Sequence, residues 1–345
     1  MTTNDTLAAG IFLLRNCFNL LLVASLLPSA VGCATHHSIK PPESQAVSAN
    51  SSGSEALKPE NTQPYTVPAG WQLVWNDEFD GTTLDTNKWT AYVGNTTGGN
   101  VYYTRRPKNV YVANGLLHLV ARHWGSHGYS YTSGQVRTEF KYSKKYGLIV
   151  ARIRMPAGSG FWPAFWLLGT NYDPKAQWPH CGEIDIPESA GGSPTWVQGT
   201  IHNADVNGQD TYQTLKYYFP TPGDTVTNFH TYGILWTSNS ITWQVDGLDA
   251  QTWTNWGAAS GTNAFPVPFN QPFFFLLQLA VTRPGGYGGS PNARTPFPSE
   301  VQVDYVRVYD RPAATTPGSG ANPGNHQPAQ IPPPISATLP ASAKP

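Results

Sequence analysis

Between about residues 69 and 311, hydrophobic and polar positions alternate in short runs that are broken repeatedly by Gly, Pro, Asn and Asp. Val110–Val120 turns at Asn114-Gly115, Gly147–Met155 forms another run, Ser240–Val245 leads into Asp246-Gly247, and Val301–Tyr309 closes the series. A period of two marks strands with one buried face, and Asn-Gly or Asp-Gly between such runs marks a tight hairpin. No long stretch repeats at the helical period. The pattern predicts an all-β sandwich, and one domain suffices, since single sandwiches of about 200 to 250 residues are ordinary.

The flanks read differently. Residues 1–33 hold two apolar stretches, Ile11–Leu14 and Leu20–Leu27, which form a signal-peptide pattern too short to stay in a membrane as a spanning helix. Its basic n-region is weak, with Arg15 set against Asp5. The end of this leader, Ala30-Val31-Gly32-Cys33, resembles a bacterial lipoprotein box with Ala in place of the usual Leu. Cys33 would then be lipidated and form the chain's one membrane contact; ordinary signal cleavage nearby is the alternative. Either route predicts export, to the bacterial envelope (lipid-anchored or periplasmic) or to the medium. Residues 34–68, rich in Ser, Pro, Asn, Gln and Thr, predict a disordered linker, and the Pro- and Ala-rich residues 312–345 a disordered tail.

Composition narrows the partners. Lys+Arg and Asp+Glu balance at 21 each, so no basic excess exists to hold a phosphate backbone, and nucleic acid is excluded as a principal partner. Few charges beside 12 Trp and 17 Tyr suit a neutral polymer such as a glycan, although most of the tryptophans are expected in the core. The three cysteines, Cys17, Cys33 and Cys181, cannot build a disulfide framework, and Cys181 reads as a small buried thiol. No HExxH or Cys/His zinc spacing occurs. A monomer is expected.

The candidate chemistry lies in Glu183-Ile184-Asp185-Ile186-Pro187-Glu188. In a strand Glu183 and Asp185 share a face, whereas strict alternation turns Glu188 away. A β-bulge would reset the alternation and return Glu188 to that face, and Pro187 is tolerated at such a bulge. Two carboxylates flanking a bond are what glycoside hydrolysis needs, one attacking or activating water and the other protonating the leaving oxygen. Crowded carboxylates push one pKa up, which suits the acid. A solvated acidic strand or a cation site is the competing reading of the hexapeptide alone.

The blocks around this motif carry a resemblance. Trp71–Gly81, Tyr131–Thr138, Tyr146-Gly147, Gly160–Gly169, Trp178–Gly182, Gly199–His202, Phe229–Tyr232 and Val303–Tyr309, in that order, resemble glycoside hydrolase family 16, in its laminarinase-like endo-β-1,3-glucanase branch. The resemblance implies a β-jelly roll of two curved antiparallel sheets with a glycan cleft on the concave face. It implies hydrolysis with retention, with Glu183 as nucleophile, Glu188 as acid/base and Asp185 between them. The residue inserted before Glu188 matches the bulged form of laminarinases, carrageenases and agarases. Trp178 and Trp162 or Trp166 match aromatics that line the cleft. Arg137 matches an arginine near the reacting sugar, with a structural pair to Glu139 as its alternative role. His202 matches a position beside the acids, a structural histidine being its other reading. Asn95 is expected at the cleft edge, and His230, Trp236 and Trp243 in the packing. No cofactor is implied for the chemistry; one structural Ca2+ on the far side is, held by Glu78 or Phe79, Gly115 and Asp304 through oxygen ligands.

The departures concern loops. Pro187 replaces a usual Met, the Asn95–Asn100 loop lacks an Asn-Asn-Glu run, Gln278 stands for Asn, and Tyr287 follows Gly285-Gly286 where Trp is frequent. The expected activity is a retaining endo-β-1,3-glucanase on laminarin-type glucans, with mixed β-1,3-1,4-glucans as further substrates. Agarase- or carrageenase-like hydrolysis, transglycosylation, or a glucan-binding envelope protein are the alternatives, and the presence of all three acids weighs against the last.

Overall fold

The computed structural model describes residues 65–95, 99–171, 177–256 and 265–311. The leader with Cys33, the linker up to residue 64, residues 96–98 of the Asn95–Asn100 loop and the tail from residue 312 lie outside the described residues.

Strands and turns account for the described chain. The strands are β1 (Gln72–Asp77), β2 (Thr90–Ala91), β3 (Val101–Tyr103), β4 (Val110–Ala113), β5 (Leu116–Ala121), β6 (Tyr131–Ser133), β7 (Gln135–Arg137), β8 (Gly147–Arg154) and β9 (Phe161–Gly169). They continue as β10 (Glu183–Glu188), β11 (Trp196–Ala204), β12 (Asp210–Tyr218), β13 (His230–Trp236), β14 (Ile241–Val245), β15 (Leu248–Trp253), β16 (Phe273–Val281) and β17 (Ser299–Asp310). One antiparallel sheet runs β15-β14-β13-β8-β17-β5-β4, with β1 paired along the second half of β17. The other runs β12-β11-β10-β9-β16-β7-β2. The short pair β3–β6 is parallel.

The turns follow from the sequence. Asn114 and Gly115 both have positive φ, 54° and 71°, and join β4 to β5 as the mirror-image turn whose twist suits a hairpin. Asp246 and Gly247, at 50° and 79°, do the same between β14 and β15. Inward positions of the two sheets meet in one core, with Phe165, Leu167, Ile184, Ile186, Ile201 and Phe275 against Ile149, Ala151, Ile234, Trp243 and Val306. Each fully buried Ile, Leu, Val or Phe among them stabilises the fold by about 1.5–3 kcal/mol before chain entropy is subtracted. Of the twelve tryptophans, only Trp89, Trp236, Trp243 and Trp256 are fully buried, fewer than the core placement expected for most of them. Cys181 is buried, and its thiol is pushed up to about 12 by burial and then by the charge of Glu183, which fits an unreactive thiol.

The expected linker ends too late at residue 68. Tyr65 and Val67 pack on a second cluster of Leu148, Val150, Tyr305 and Tyr309, and the Tyr65 hydroxyl donates to Gln244 Oε1 at 3.0 Å. Aromatic burial draws these residues onto the sheet despite their polar neighbours in sequence.

His230 packs as expected, and two carboxylates flank it. Its Nδ1 lies 2.8 Å from Asp246 Oδ2 and its Nε2 3.2 Å from Asp224 Oδ1. Burial alone would lower its pKa, but the hydrogen bond and charge of Asp246, joined by Asp224, outweigh burial and raise it above 6.5. A histidine raised on folding stabilises fully below its unfolded pKa and loses that contribution as pH climbs through the folded value. The urea midpoint should therefore fall as pH is raised above 6.5, and His230→Gln should flatten that fall in denaturation curves taken across the range.

Candidate active site

The bulge inferred from the sequence is present in β10, an interior strand of the second sheet. Glu183, Asp185 and Glu188 stand opposite Leu168, Trp166 and Ala164 on β9, and opposite His202, Thr200 and Gln198 on β11. Three steps on β10 between Asp185 and Glu188 thus match two on each neighbour. Because the partners are every second residue of their strands, the three acids share one face. Ile184 and Ile186 point into the core, so that face is the outer one.

The same cross-strand rows place the other candidates. The row through Asp185 and Trp166 continues to Leu276, Arg137 and Thr90; the row through Glu188 and Ala164 continues to Gln278 and Gln135. Trp162, two residues before Ala164, is on this face too, and its indole Nε1 donates to Glu188 Oε1 at 2.7 Å. On the other flank His202 Nε2 lies 3.5 Å from Asp185 Oδ2, while its Nδ1 meets both Asp210 oxygens at 3.0 Å. Asp210 therefore holds the proton on Nδ1 and turns Nε2 toward the acids. The Trp178 ring sits 5.8 Å from the His202 ring. The three acids are almost inaccessible, at 3%, 1% and 5% exposure, despite lying on the outer face.

Arg137 stands where the sequence reading expected it and also makes the pair with Glu139. It stands on the acid-bearing face, two strands from β9, and Nη1 is 3.4 Å from Glu139 Oε2. It is held more firmly by Nε to Gln135 Oε1 at 2.7 Å and by the Tyr92 ring 3.7 Å below its guanidinium. Gln135 in turn donates to Gln278 Oε1 at 2.7 Å. Trp166 Nε1 and Asn95 Nδ2 are buried with no hydrogen-bond partner among the described residues. Buried donors left open in this way on a half-exposed face are suited to a polar ligand.

One side chain reaches the acids from the opposite sheet. Trp243, on β14, passes through the core and donates Nε1 to the carbonyl oxygen of Asp185 at 2.9 Å, at the start of the bulge. Gly199 on β11 makes room for it: a Cβ there would lie 2.3 Å from Trp243 Cδ1 and Nε1. The sequence reading placed Trp243 in the packing; it packs, and it also ties down the backbone that carries Asp185.

At the expected calcium positions the side-chain carboxylates are engaged in ion pairs. Both Glu78 oxygens accept from Arg307 at 2.8 Å, and Asp304 Oδ2 accepts from Arg152 at 2.8 Å. Gly115 is the second residue of the β4–β5 turn. With Arg307 as its counter-charge, the Glu78 carboxylate does not fit as a calcium ligand, since a dication there would have to displace a bidentate arginine. The close trio Glu183, Asp185 and His202 also has metal-ligand spacing, and it is the acid site itself.

Three residues near the acids escaped the sequence reading. Asp210 meets His202 diagonally across the β11–β12 hairpin, and Trp196 lies under Lys216 Nζ at 4.3 Å. Tyr287 was noted only as a departure, yet its ring lies 5.3 Å from Trp162 and 6.4 Å from Trp196. The signals for the first two were register-dependent and unreadable without knowing the hairpin.

Comparison with known proteins gives a consistent result. The sequence description "Glycosyl hydrolases family 16" matches residues 97–282. A glucan endo-1,3-beta-glucosidase A1 of Niallia circulans is 38% identical over 264 residues, covering 70% of this chain and 38% of the relative. The chain thus spans well under half of that relative's length. A beta-glucanase of Rhodothermus marinus is 38% identical over 260 residues, covering 69% of this chain and 85% of the relative. The catalytic domain of an endo-1,3-beta-glucanase (laminarinase) from Thermotoga petrophila superposes with a TM-score of 0.63 at 35% identity, over 70% of this chain and 99% of that one. The two antiparallel sheets are the jelly roll of these neighbours.

Proposed function

The chain belongs to glycosyl hydrolase family 16, and from that membership we propose that it is a retaining endo-β-1,3-glucanase acting on laminarin-type glucans, with mixed β-1,3-1,4-glucans as further substrates. The observation that carries the reading is the bulged row Glu183, Asp185, Glu188 on the open face of the second sheet. Glu183 attacks the anomeric carbon as Glu188 gives its proton to the departing glycosidic oxygen, leaving a glycosyl ester on Glu183. Glu188, now a carboxylate, takes a proton from water, which attacks the same carbon and frees Glu183 with the original configuration restored. Asp185 hydrogen-bonds the nucleophile and biases which carboxyl holds the proton, and His202, fixed by Asp210, faces Asp185 from the side. Trp162 donates to Glu188 and fixes its orientation. No cofactor enters these steps.

The test is reducing-sugar release from laminarin and lichenan by the whole chain, with the anomeric configuration of the first product read by proton NMR. Rapid release of β-configured oligosaccharides of mixed length supports the reading. Release of the α anomer would overturn retention. No release from either glucan, with the protein folded, would overturn the substrate assignment.

A further inference from the structure

The connection from β16 to β17 places Tyr287 beside the acids and holds it there. Gly160 N donates to Gly288 O at 2.6 Å, and Gly289 N to Gly286 O at 2.9 Å, so the backbone is tied on the C-terminal side of Tyr287. Thr282 Oγ1 bonds both Gly160 O, at 3.2 Å, and Gly289 O, which clamps the loop across its base. Gly288 has no room for a side chain, because a Cβ would lie 2.4 Å from Phe161 O. The Tyr287 ring is tilted against Trp162, the same indole that donates to Glu188 Oε1 at 2.7 Å, and stands edge-on to Trp196.

At the end of this fixed ring the hydroxyl is buried, with no hydrogen-bond partner among the described residues. Buried hydroxyls are nearly always paired, and one left open burdens the folded state. Phenylalanine would fill the same space without that burden. From this geometry we propose that the Tyr287 hydroxyl is a substrate-binding group that hydrogen-bonds one of the two sugar units flanking the scissile bond, where Glu188 meets the glycosidic oxygen. Burial, and then the charges of Glu188 and Asp185, raise its pKa, so it stays a protonated donor wherever the enzyme works. A ring stacks on sugars with little discrimination, whereas a fixed hydroxyl can require a sugar oxygen at one position. The inference rests on the glucanase reading and refines it.

The experiment compares the parent with Tyr287→Phe, after the parent has been shown to act on laminarin or, failing that, on whichever β-glycan it cleaves. Parent inactivity would count against the glucanase reading alone, whereas the variant comparison addresses the hydroxyl. The expected result is opposite movement of two quantities: kcat/KM falls about 3- to 30-fold, as for loss of one hydrogen bond to substrate, while the thermal midpoint holds or rises. An unchanged kcat/KM would overturn the proposal. So would a lowered thermal midpoint, which would mean that the hydroxyl serves the fold.

Discussion

Glu188→Ala should lose about 10²–10⁴-fold of its activity on laminarin, yet recover turnover with added azide on an activated aryl β-glucoside, giving a β-glycosyl azide. Glu183→Ala should be at least as inactive, and azide should give it the α-glycosyl azide. The contrast follows from where each acid stands in the reaction. Without Glu188 the glycosyl ester on Glu183 still forms if the leaving group needs no proton, and azide attacks that ester from the face water would use, a second inversion that restores configuration. Without Glu183 there is no ester; azide occupies the vacated side and displaces the leaving group once, with inversion. Product configuration by NMR therefore assigns the roles independently of rate. Swapped azide configurations would exchange the two assignments, and a variant retaining a tenth of parental activity would remove its residue from the chemistry. Both variants should remain folded, because both carboxylates lie on the outer face while Ile184 and Ile186 hold β10 in the core.

Much of this site could be read from the sequence because strand geometry leaves few choices. Alternation with Asn114-Gly115 and Asp246-Gly247 as turns was enough for two-sheet architecture, since those pairs adopt the positive φ that tight hairpins require. The bulge was legible because three acids and a proline in six residues make chemical sense only if Glu188 rejoins its neighbours. What could not be read were contacts made across space. His202 and Asp210 are diagonal neighbours only because Ala204 pairs with Asp210 and His202 with Tyr212, a register set by a turn in which Asp205 Oδ1 accepts from Asn207 and Gln209. The pairing of the Glu78 carboxylate with Arg307, over two hundred residues later, was likewise invisible in the sequence. Tyr65 looked like linker because nothing local marks a residue that docks on a distant sheet.

Trp243 is the strongest case of that kind, and Gly199→Ala is the substitution that exposes it. An alanine Cβ would sit 2.3 Å from the indole, and the ring cannot simply swing aside, because Trp253 stands edge-on at 4.4 Å and the surrounding core is filled. Overpacking of this sort costs about 1–3 kcal/mol, and it pushes the donor away from Asp185 O. Trp243→Phe removes the donor directly and takes one hydrogen bond from a buried carbonyl, at about 0.5–1.5 kcal/mol. In both variants the peptide that begins the bulge is free to shift, which moves Glu188 relative to Glu183. A displacement near 1 Å at reacting groups is enough for about a 10²-fold loss in kcat. The phenylalanine ring also leaves space beside residue 199, so the double variant Gly199→Ala/Trp243→Phe should be less destabilised than the two single effects added, by about 0.5–3 kcal/mol in urea unfolding. Its kcat should be no lower than that of Trp243→Phe alone, since both changes break one and the same bond. Additive stabilities together with parental kcat in Trp243→Phe would show that the indole only fills space; coupling together with a kcat loss at unchanged KM would show that the opposite sheet positions the acids through a single hydrogen bond.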